Sequence, residues 1–160
     1  MKYEFIKKPL HGLIPIDATD LDNLEKRYNF RFPQVLRDYY LLLNGCDIQT
    51  CRMKRDDQTI LVTEIIPVNK GSLDLEDQIQ LAEEDQYLSA GLIPFASNPV
   101  CGIFYFHKDS QIICCSFYDA IDEFQYICTG MDIFLEAMNR SCGEQDDDTL
   151  FDIATIDKER

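Results

Sequence analysis

The residues that most often carry chemistry are seven cysteines and two histidines, and their spacing does not build a familiar site. The cysteines are spread along the chain, at Cys46, Cys51, Cys101, Cys114, Cys115, Cys128 and Cys142. No C-x-x-C pair occurs, and His11 and His107 stand alone, so the ligand spacing typical of zinc is missing. Adjacent Cys114 and Cys115 would point to opposite faces of a strand. We therefore expect reduced thiols that fill the core, with metal binding or redox chemistry as the less favoured alternative.

Nucleophilic and acid–base catalysis also lack support. A serine or cysteine nucleophile needs a base, but His107 falls at a predicted turn and His11 lies near the N-terminus. Carboxylates occur in the runs DAIDE, AEED and EQDDD, which are typical of solvated surfaces; a tuned acid–base pair is the alternative. The DDD run at 146–148 lacks the spaced ligands of an EF-hand loop. No glycine-rich phosphate-binding pattern occurs, so we predict a non-enzyme without cofactor or metal.

The charge of the chain is its most unusual property. The formal net charge is −14, from 15 Lys and Arg against 29 Asp and Glu. Residues 1–55 hold ten basic and seven acidic residues, net +3, whereas residues 56–160 hold five basic and twenty-two acidic residues, net −17. Such a surface should repel nucleic acid and anionic membranes and attract a basic protein. Solubility alone is the alternative explanation of the acidity.

The composition indicates a folded protein that remains in the cytoplasm. Hydrophobic residues make up 46% of the 160 residues, which is enough for a core and too many for intrinsic disorder. No apolar run approaches the roughly 20 residues of a membrane helix. The N-terminal stretch MKYEFIKKPLHGLIPI has no uninterrupted apolar run and no small-residue cleavage site, so we expect no signal peptide.

Two helices are predicted near the N-terminus, joined as a hairpin over residues 18–44. In the first helix, Thr19 and Asp22 have the spacing of a capping box. The second lies in FRFPQVLRDYYLLLNG, where Asn44 and Gly45 form a C-terminal stop because glycine tolerates the left-handed conformation. We expect six apolar residues to be buried on the inward faces of this hairpin: Leu24, Phe32, Leu36, Tyr39, Leu42 and Leu43.

The middle of the chain has strand patterns with one helix between them. Residues 46–58 are polar enough for a loop or an edge segment, and TILVTEIIPV predicts a strand ended by Pro67. In SLDLEDQIQLAEEDQYLSAG, Leu75, Ile79 and Ala82 share a helical face, which predicts an acidic amphipathic helix, with an acidic loop as the alternative. Further strands are predicted in LIPFASN, CGIFYF, QIICCSFY and EFQYIC. CGIFYF lacks polar alternation, as expected for a central strand covered on both faces.

A closing helix is predicted in TGMDIFLEAMNRSCG, with Thr129 and Asp132 as its cap and Phe134, Ala137 and Met138 facing inward. The order of elements predicts an α+β fold, in which a mainly antiparallel sheet carries the N-terminal helical hairpin and the C-terminal helix.

The length favours one domain, which we place at residues 1–142. Residues 143–160 are predicted to be an acidic C-terminal tail that is partly mobile, or docked through Leu150, Phe151 and Ile153.

The stretch LDNLEKRYNFRFPQVLRDYYLLLNG resembles the N-terminal signature of the SUKH superfamily, the Smi–Knr type of cell-wall regulators and bacterial immunity proteins. The matching positions are Leu24, Glu25, Phe32, Pro33, Tyr39, Leu42, Leu43, Asn44 and Gly45. The later strands resemble the family's strands at Ile93, Pro94, Phe95, Gly102, Tyr105 and Asp119. The closing helix is similar at Phe134, Leu135 and Glu136. The resemblance covers residues 18 to about 139 in the family's order.

The resemblance implies that the recognisable motif is scaffold and that function lies on the variable surface. Bacterial members are mostly immunity proteins that bind and neutralise a cognate toxin, often a nuclease or deaminase, and eukaryotic members are regulatory adaptors. We therefore expect a non-catalytic protein-binding domain, foremost an immunity protein for a basic toxin, with a regulatory adaptor as the alternative. An enzyme with an acidic active site is the third hypothesis.

The charge asymmetry predicts where the partner binds. The candidate partner-binding residues are acidic and lack a compensating base nearby in sequence: Asp74, Glu76, Asp77, Glu83, Glu84, Asp85, Asp119, Asp122 and Glu123. On the fold that the resemblance implies, we expect them on one side of the molecule, away from the N-terminal hairpin.

Overall fold

Helices occur at both ends of the fold, and most strands lie between them. In the computed structural model, the described residues are 3–6, 16–68, 74–98, 102–117, 120–143 and 149–160; of residue 117 and residues 120–122, only the backbone is described. The helices that these residues form are α1 Ala18–Tyr28, α2 Gln34–Leu43, α3 Leu75–Glu84, α4 Met131–Ser141 and α5 Ala154–Glu159. Their strands are β1 Cys51–Arg55, β2 Gln58–Val62, β3 Glu64–Ile65, β4 Leu92–Asn98, β5 Gly102–His107, β6 Ile112–Phe117, β7 Ala120–Thr129 and β8 Phe151–Asp152. This mixture of helices and largely antiparallel sheets is the predicted α+β class.

Helix α1 is capped two residues earlier than predicted. The Asp17 backbone is extended, and its carboxylate accepts hydrogen bonds from the N–H groups of Thr19 at 2.9 Å and Asp20 at 3.2 Å. The Asp20 carboxylate accepts in return from the Asp17 N–H, which completes a capping box. The predicted Thr19–Asp22 box is therefore wrong, because Thr19 already has helical geometry and Asp22 turns toward α2.

Helix α2 confirms the inward-facing stripe except at Leu42. The buried residues Leu36, Tyr39, Tyr40 and Leu43 recur at the spacing of one helical face. Leu42 falls outside that stripe and is 54% exposed, so the prediction that it is buried is wrong. The prediction failed because Tyr40, which has a polar hydroxyl, is buried on the inward face, whereas Leu42 is not. The Tyr40 hydroxyl is satisfied there because it donates to the Pro94 carbonyl at 3.0 Å.

The larger sheet has five antiparallel strands in the order β3-β4-β5-β6-β7. Strand β5, which contains residues 102–106 of the CGIFYF segment, is central and buried along most of its length, as predicted from its missing alternation. Phe134 of α4 packs against the rings of Phe95 at 5.2 Å and Phe104 at 5.7 Å. The predicted inward residues Phe134, Ala137 and Met138 are all buried.

The cap predicted for α4 is wrong. The helix follows Gly130 and has no side-chain cap, while the Thr129 hydroxyl instead lies 2.8 Å from the Tyr126 hydroxyl. Gly130 has a φ of 106°, and a Cβ there would lie 2.6 Å from the Asp132 carboxylate. Because only glycine adopts this backbone without strain, the turn depends on Gly130 and not on a capping side chain.

The smaller sheet has the order β2-β1-β8 and was not foreseen as a separate unit. Residues 46–58, predicted as a loop or an edge, contain β1, the central strand of this sheet. Cys51 and Met53 point into the core, while the basic residues Arg52, Lys54 and Arg55 make the composition of the strand polar and hide that alternation. The single strand predicted over TILVTEIIPV is divided into β2 and β3, which belong to different sheets.

Part of the predicted C-terminal tail is docked on the body. Strand β8 pairs in parallel with β1, Ile153 and Ile156 are buried, and Asp157 lies 2.9 Å from Arg55. Residues 144–148, which include the acidic run of the tail, lie outside the described residues.

Candidate protein-binding surface

Helix α3 and its two capping residues carry six of the nine acidic residues predicted as a partner site. Asp74 caps its first turn, and the Asp74 carboxylate accepts from the Glu76 N–H at 2.7 Å. Acidic side chains in that turn are also favoured by the helix dipole. The buried face consists of Leu75, Ile79 and Ala82, as predicted, and the helix contacts β4 and α1. The amphipathic helix is thus confirmed over the acidic loop.

The opposite face of α3 is acidic, with an apolar side chain at its centre. Asp77, Glu83, Glu84 and Asp85 are exposed, and within the described ranges none of the four forms an ion pair. Leu81 is 50% exposed and is separated from Asp77, Glu84 and Asp85 by three or four residues, so these side chains are neighbours on the helix. Glu83 is two residues from Leu81 and lies toward α1, at the border of this face. We call Asp77, Leu81, Glu83, Glu84 and Asp85 the α3 surface. Leu81 was not predicted; the signal in the sequence is an apolar residue off the buried stripe with acids around it.

Glu76 belongs to the scaffold and not to the α3 surface. The Arg27 guanidinium donates a hydrogen bond to the Glu76 carboxylate, and the Tyr28 hydroxyl donates to it at 3.1 Å. The hydrogen bond from Arg27 is the main cause of the lowered pKa of Glu76. Helix α3 therefore lies beside α1, and the prediction that the acidic residues lie away from the N-terminal hairpin is wrong for this helix.

The other end of α3 is held by a cluster of aromatic rings. The Tyr87 ring lies 5.6 Å from Tyr105 on β5 and 5.1 Å from Phe124 on β7, and Tyr105 and Phe124 are 5.8 Å apart. Burial is the main cause of the raised pKa of Tyr105, and the nearby Asp85 carboxylate contributes to it. Both ends of α3 are thus fixed to the body, which positions the acidic side chains between them.

Of the three acidic residues predicted near the strand ends, Glu123 is described with its side chain and does not join the α3 surface. Glu123 is exposed on β7, but it precedes Phe124, which faces the Tyr87 ring. Because successive side chains of a strand alternate, Glu123 projects from the opposite face of the sheet. Asp122 belongs to β7, where only its backbone is described, and Asp119 lies outside the described residues.

Asn44 and Gly45 of the hairpin motif lie inside the protein and are not available to a partner. Asn44 is buried, and its side chain makes two hydrogen bonds to one residue: the Val68 N–H donates to Oδ1 at 2.7 Å, and Nδ2 donates to the Val68 carbonyl at 3.1 Å. Gly45 follows with a φ of 75°, which ends α2 as predicted. The Asn-Gly pair therefore joins α2 to the chain beyond β3.

A second internal contact closes the α1–α2 turn. The Glu25 carboxylate accepts from the Phe32 N–H at 2.7 Å and lies 3.1 Å from the Arg37 guanidinium. Arg37 also lies 2.9 Å from Asp22. Asp22, Glu25 and Arg37 are therefore paired with one another within the hairpin.

Residues 15–137 match the sequence profile of the SMI1 / KNR4 family (SUKH-1). The chain belongs to this family. The match covers the hairpin motif, α3 and the five-stranded sheet, and it confirms the resemblance drawn from residues 18–139. No curated protein matches the chain.

Membership in the SMI1 / KNR4 family is consistent with an immunity or regulatory role exercised through protein binding, and the family is generally non-catalytic. The match ends within α4, so β8 and α5 lie beyond the matched region. In this SUKH-1 chain the residues of the hairpin motif make internal contacts, whereas the exposed acids lie on α3, so the two are separate groups of residues.

The thiols of this family member are placed as core residues. Five of the six described cysteines are buried, all six are free thiols, and Cys101 lies outside the described residues. Burial raises the pKa of Cys114 to about 11 and that of Cys128 to about 12, so neither is a thiolate at neutral pH. Across the described part of the chain, no group of three His, Cys, Asp or Glu residues is placed to hold a metal ion. No helix in that part has the length and apolar character needed to cross a membrane.

Proposed function

We propose that the protein is a cytoplasmic immunity protein that binds and neutralises a cognate basic toxin through the α3 surface. The observation that carries the proposal is the set of exposed carboxylates of the α3 surface, three of which neighbour Leu81. Among the described residues they have no ion-pair partner, and the helix that presents them is anchored at both ends.

The composition of the α3 surface suits protein recognition. Interfaces commonly combine an apolar anchor, which is desolvated on binding, with a polar rim. Leu81 supplies the anchor, and Asp77, Glu84 and Asp85 supply the rim. Because the helix is already fixed by Glu76 and Tyr87, little ordering is required when a partner docks.

The sign of the charge favours a basic partner. Residues 56–160 carry a net charge of −17, which attracts a basic protein over distances comparable with the Debye length. Toxins that act on nucleic acid need basic clefts for the phosphate backbone, and an acidic surface can compete for such a cleft. SUKH-1 membership adds the general expectation of an immunity or regulatory role.

The proposal is tested by comparing two baits in lysates of the native host. Wild-type protein and the variant Glu83→Lys/Glu84→Lys/Asp85→Lys are used in parallel, and bound proteins are quantified by mass spectrometry. We expect a basic protein that is enriched by the wild type and lost with the variant. Expression of that protein alone should arrest growth, and co-expression of the wild type, but not of the variant, should restore it.

A matched control separates the site from the general charge. Asp57, Asp109 and Glu123 are exposed acids outside α3, and their replacement by Lys changes the net charge by the same amount. This control should retain the partner and the protection. Equal loss in both variants would contradict the α3 surface as the site. A partner whose expression is harmless would contradict the immunity role and favour the regulatory alternative.

A further inference from the structure

A cleft lined by basic residues lies beside helix α1, on a different side from the one that contacts α3. It has a volume of about 820 Å³ and is formed where three parts of the chain meet. Lys26 comes from α1, Arg31 from the turn between α1 and α2, and Lys108 from the turn between β5 and β6. These cations are distant in sequence, and the fold brings them to one cleft, which we call the basic cleft.

The carboxylates in the basic cleft do not neutralise these three cations. Asp22 and Glu25 also line it, but both are paired with Arg37, at 2.9 Å and 3.1 Å. Glu25 accepts in addition from the Phe32 N–H. Within the described ranges, Lys26, Arg31 and Lys108 form no ion pair, and all three are exposed. The cleft is therefore locally positive on a strongly acidic protein.

The wall of the cleft is rigid. The rings of Phe30 and Phe32 pack edge to face at 4.7 Å on either side of Arg31 in the sequence. Asn29 ends α1 in the left-handed conformation, and the Phe30 N–H donates to the Glu25 carbonyl at 3.1 Å. Arg31 therefore projects from a turn whose backbone is held on both sides, so little ordering of the backbone is required when a ligand binds.

We propose that the basic cleft binds a carboxylate-bearing segment of a protein partner, an acidic peptide of a few residues. Convergent Lys and Arg side chains in a cleft match carboxylates in charge, and Arg can pair with them in bidentate geometry. A long nucleic acid fits less well, because the net charge of −14 repels an extended polyanion beyond the three cations. The site is separate from the α3 surface and does not depend on the proposed immunity role.

The test uses the full chain, labelled with ¹⁵N, and a blocked hexaglutamate peptide at low salt. Amide shifts are followed by NMR as the peptide is added. We expect saturable shifts at residues 29–32, at Gln34 and at residues 107–109, and loss of binding as salt screens the charges. Arg31→Glu should weaken the apparent affinity about tenfold.

The control is Lys158→Glu, which makes the same change of charge on α5, outside the cleft. It should leave the affinity close to that of the wild type, and both variants should keep the dispersed spectrum of a folded protein. Absence of shifts, shifts mapped elsewhere, or equal weakening by Arg31→Glu and Lys158→Glu would overturn the proposal. Tighter binding of a hexathymidylate to the same amides would overturn the assignment to a peptide.

Discussion

The α1–α2 hairpin and the α3 surface use polar residues in opposite ways. In the hairpin, Asn44 binds the Val68 backbone, Tyr40 binds the Pro94 carbonyl, and Glu25 pairs with Arg37. On the α3 surface, by contrast, the acids face solvent and form no ion pair among the described residues. The region with the most recognisable sequence is therefore the scaffold. The region available to a partner has no recognisable sequence motif. It is identified in the structure because its acidic side chains are exposed and form no ion pair among the described residues.

The largest effect should separate two adjacent leucines of α2. Leu43 is 2% exposed and Leu42 is 54% exposed. Leu43→Ala should lower the free energy of unfolding by about 2–5 kcal/mol, because it leaves a cavity in the core. Leu42→Ala should lower it by only about 0.5 kcal/mol, as for an exposed position. Denaturant unfolding of the two variants measures the difference. Equal losses would mean that the inward face of the hairpin is assigned incorrectly.

The next largest effect concerns the two hydrogen bonds between the Asn44 side chain and the Val68 backbone. Asn44→Ala leaves the N–H and the carbonyl of buried Val68 without their partner, which should cost about 2–4 kcal/mol. Native-state hydrogen exchange at the Val68 amide should also become faster. The control is Gln34→Ala, because Gln34 makes one exposed hydrogen bond, to Asp38 at 2.8 Å. An Asn44→Ala variant as stable as the control would remove the distinction between internal and exposed polar groups.

The smallest effect lies at the boundary between the two regions. The pKa of Glu76 is lowered, chiefly by the hydrogen bond from Arg27. A carboxylate with a lowered folded pKa stabilises the fold above its unfolded pKa of about 4.3, and this stabilisation is lost as the pH falls through the folded value. Arg27→Gln should therefore raise the pKa of Glu76 in an NMR titration. It should also reduce stability more at neutral than at acidic pH. The change should be small because both side chains are partly exposed.

A pKa of Glu76 that stays unchanged in Arg27→Gln would contradict the assignment of this residue to the scaffold. Glu76 would then have to be counted with the α3 surface.

Strong local periodicity made much of the fold predictable. The buried stripes of α3 and α4 and the apolar strand β5 were predicted from spacing alone. Strand β1 was missed because Arg52, Lys54 and Arg55 make its composition polar, although its alternation places Cys51 and Met53 in the core. The caps of α1 and α4 were wrong because a cap depends on the backbone angles of one residue.

The candidate site was less predictable because its geometry depends on contacts between distant parts of the chain. Six acids of the α3 region were predicted together, but two of them lie outside the α3 surface: Asp74 caps the helix, and Glu76 is held by Arg27 across 49 residues. The packing of Phe124 against Tyr87 shows which face of β7 is turned toward α3, and strand alternation then places Glu123 on the other face. Leu81 was missed although the predicted buried stripe already left it outside, because a single exposed leucine is common on protein surfaces and does not by itself indicate a binding site.

The central claim is that the α3 surface guides a basic partner to this protein. The most direct test is the association rate of the partner identified with the two baits, measured at several salt concentrations by stopped flow. We expect fast association at low salt, slower association as salt screens the field, and a rate about tenfold lower for Glu83→Lys/Glu84→Lys/Asp85→Lys with unchanged stability. An association rate indifferent to both salt and charge reversal would contradict the claim and leave solubility as the role of these acids.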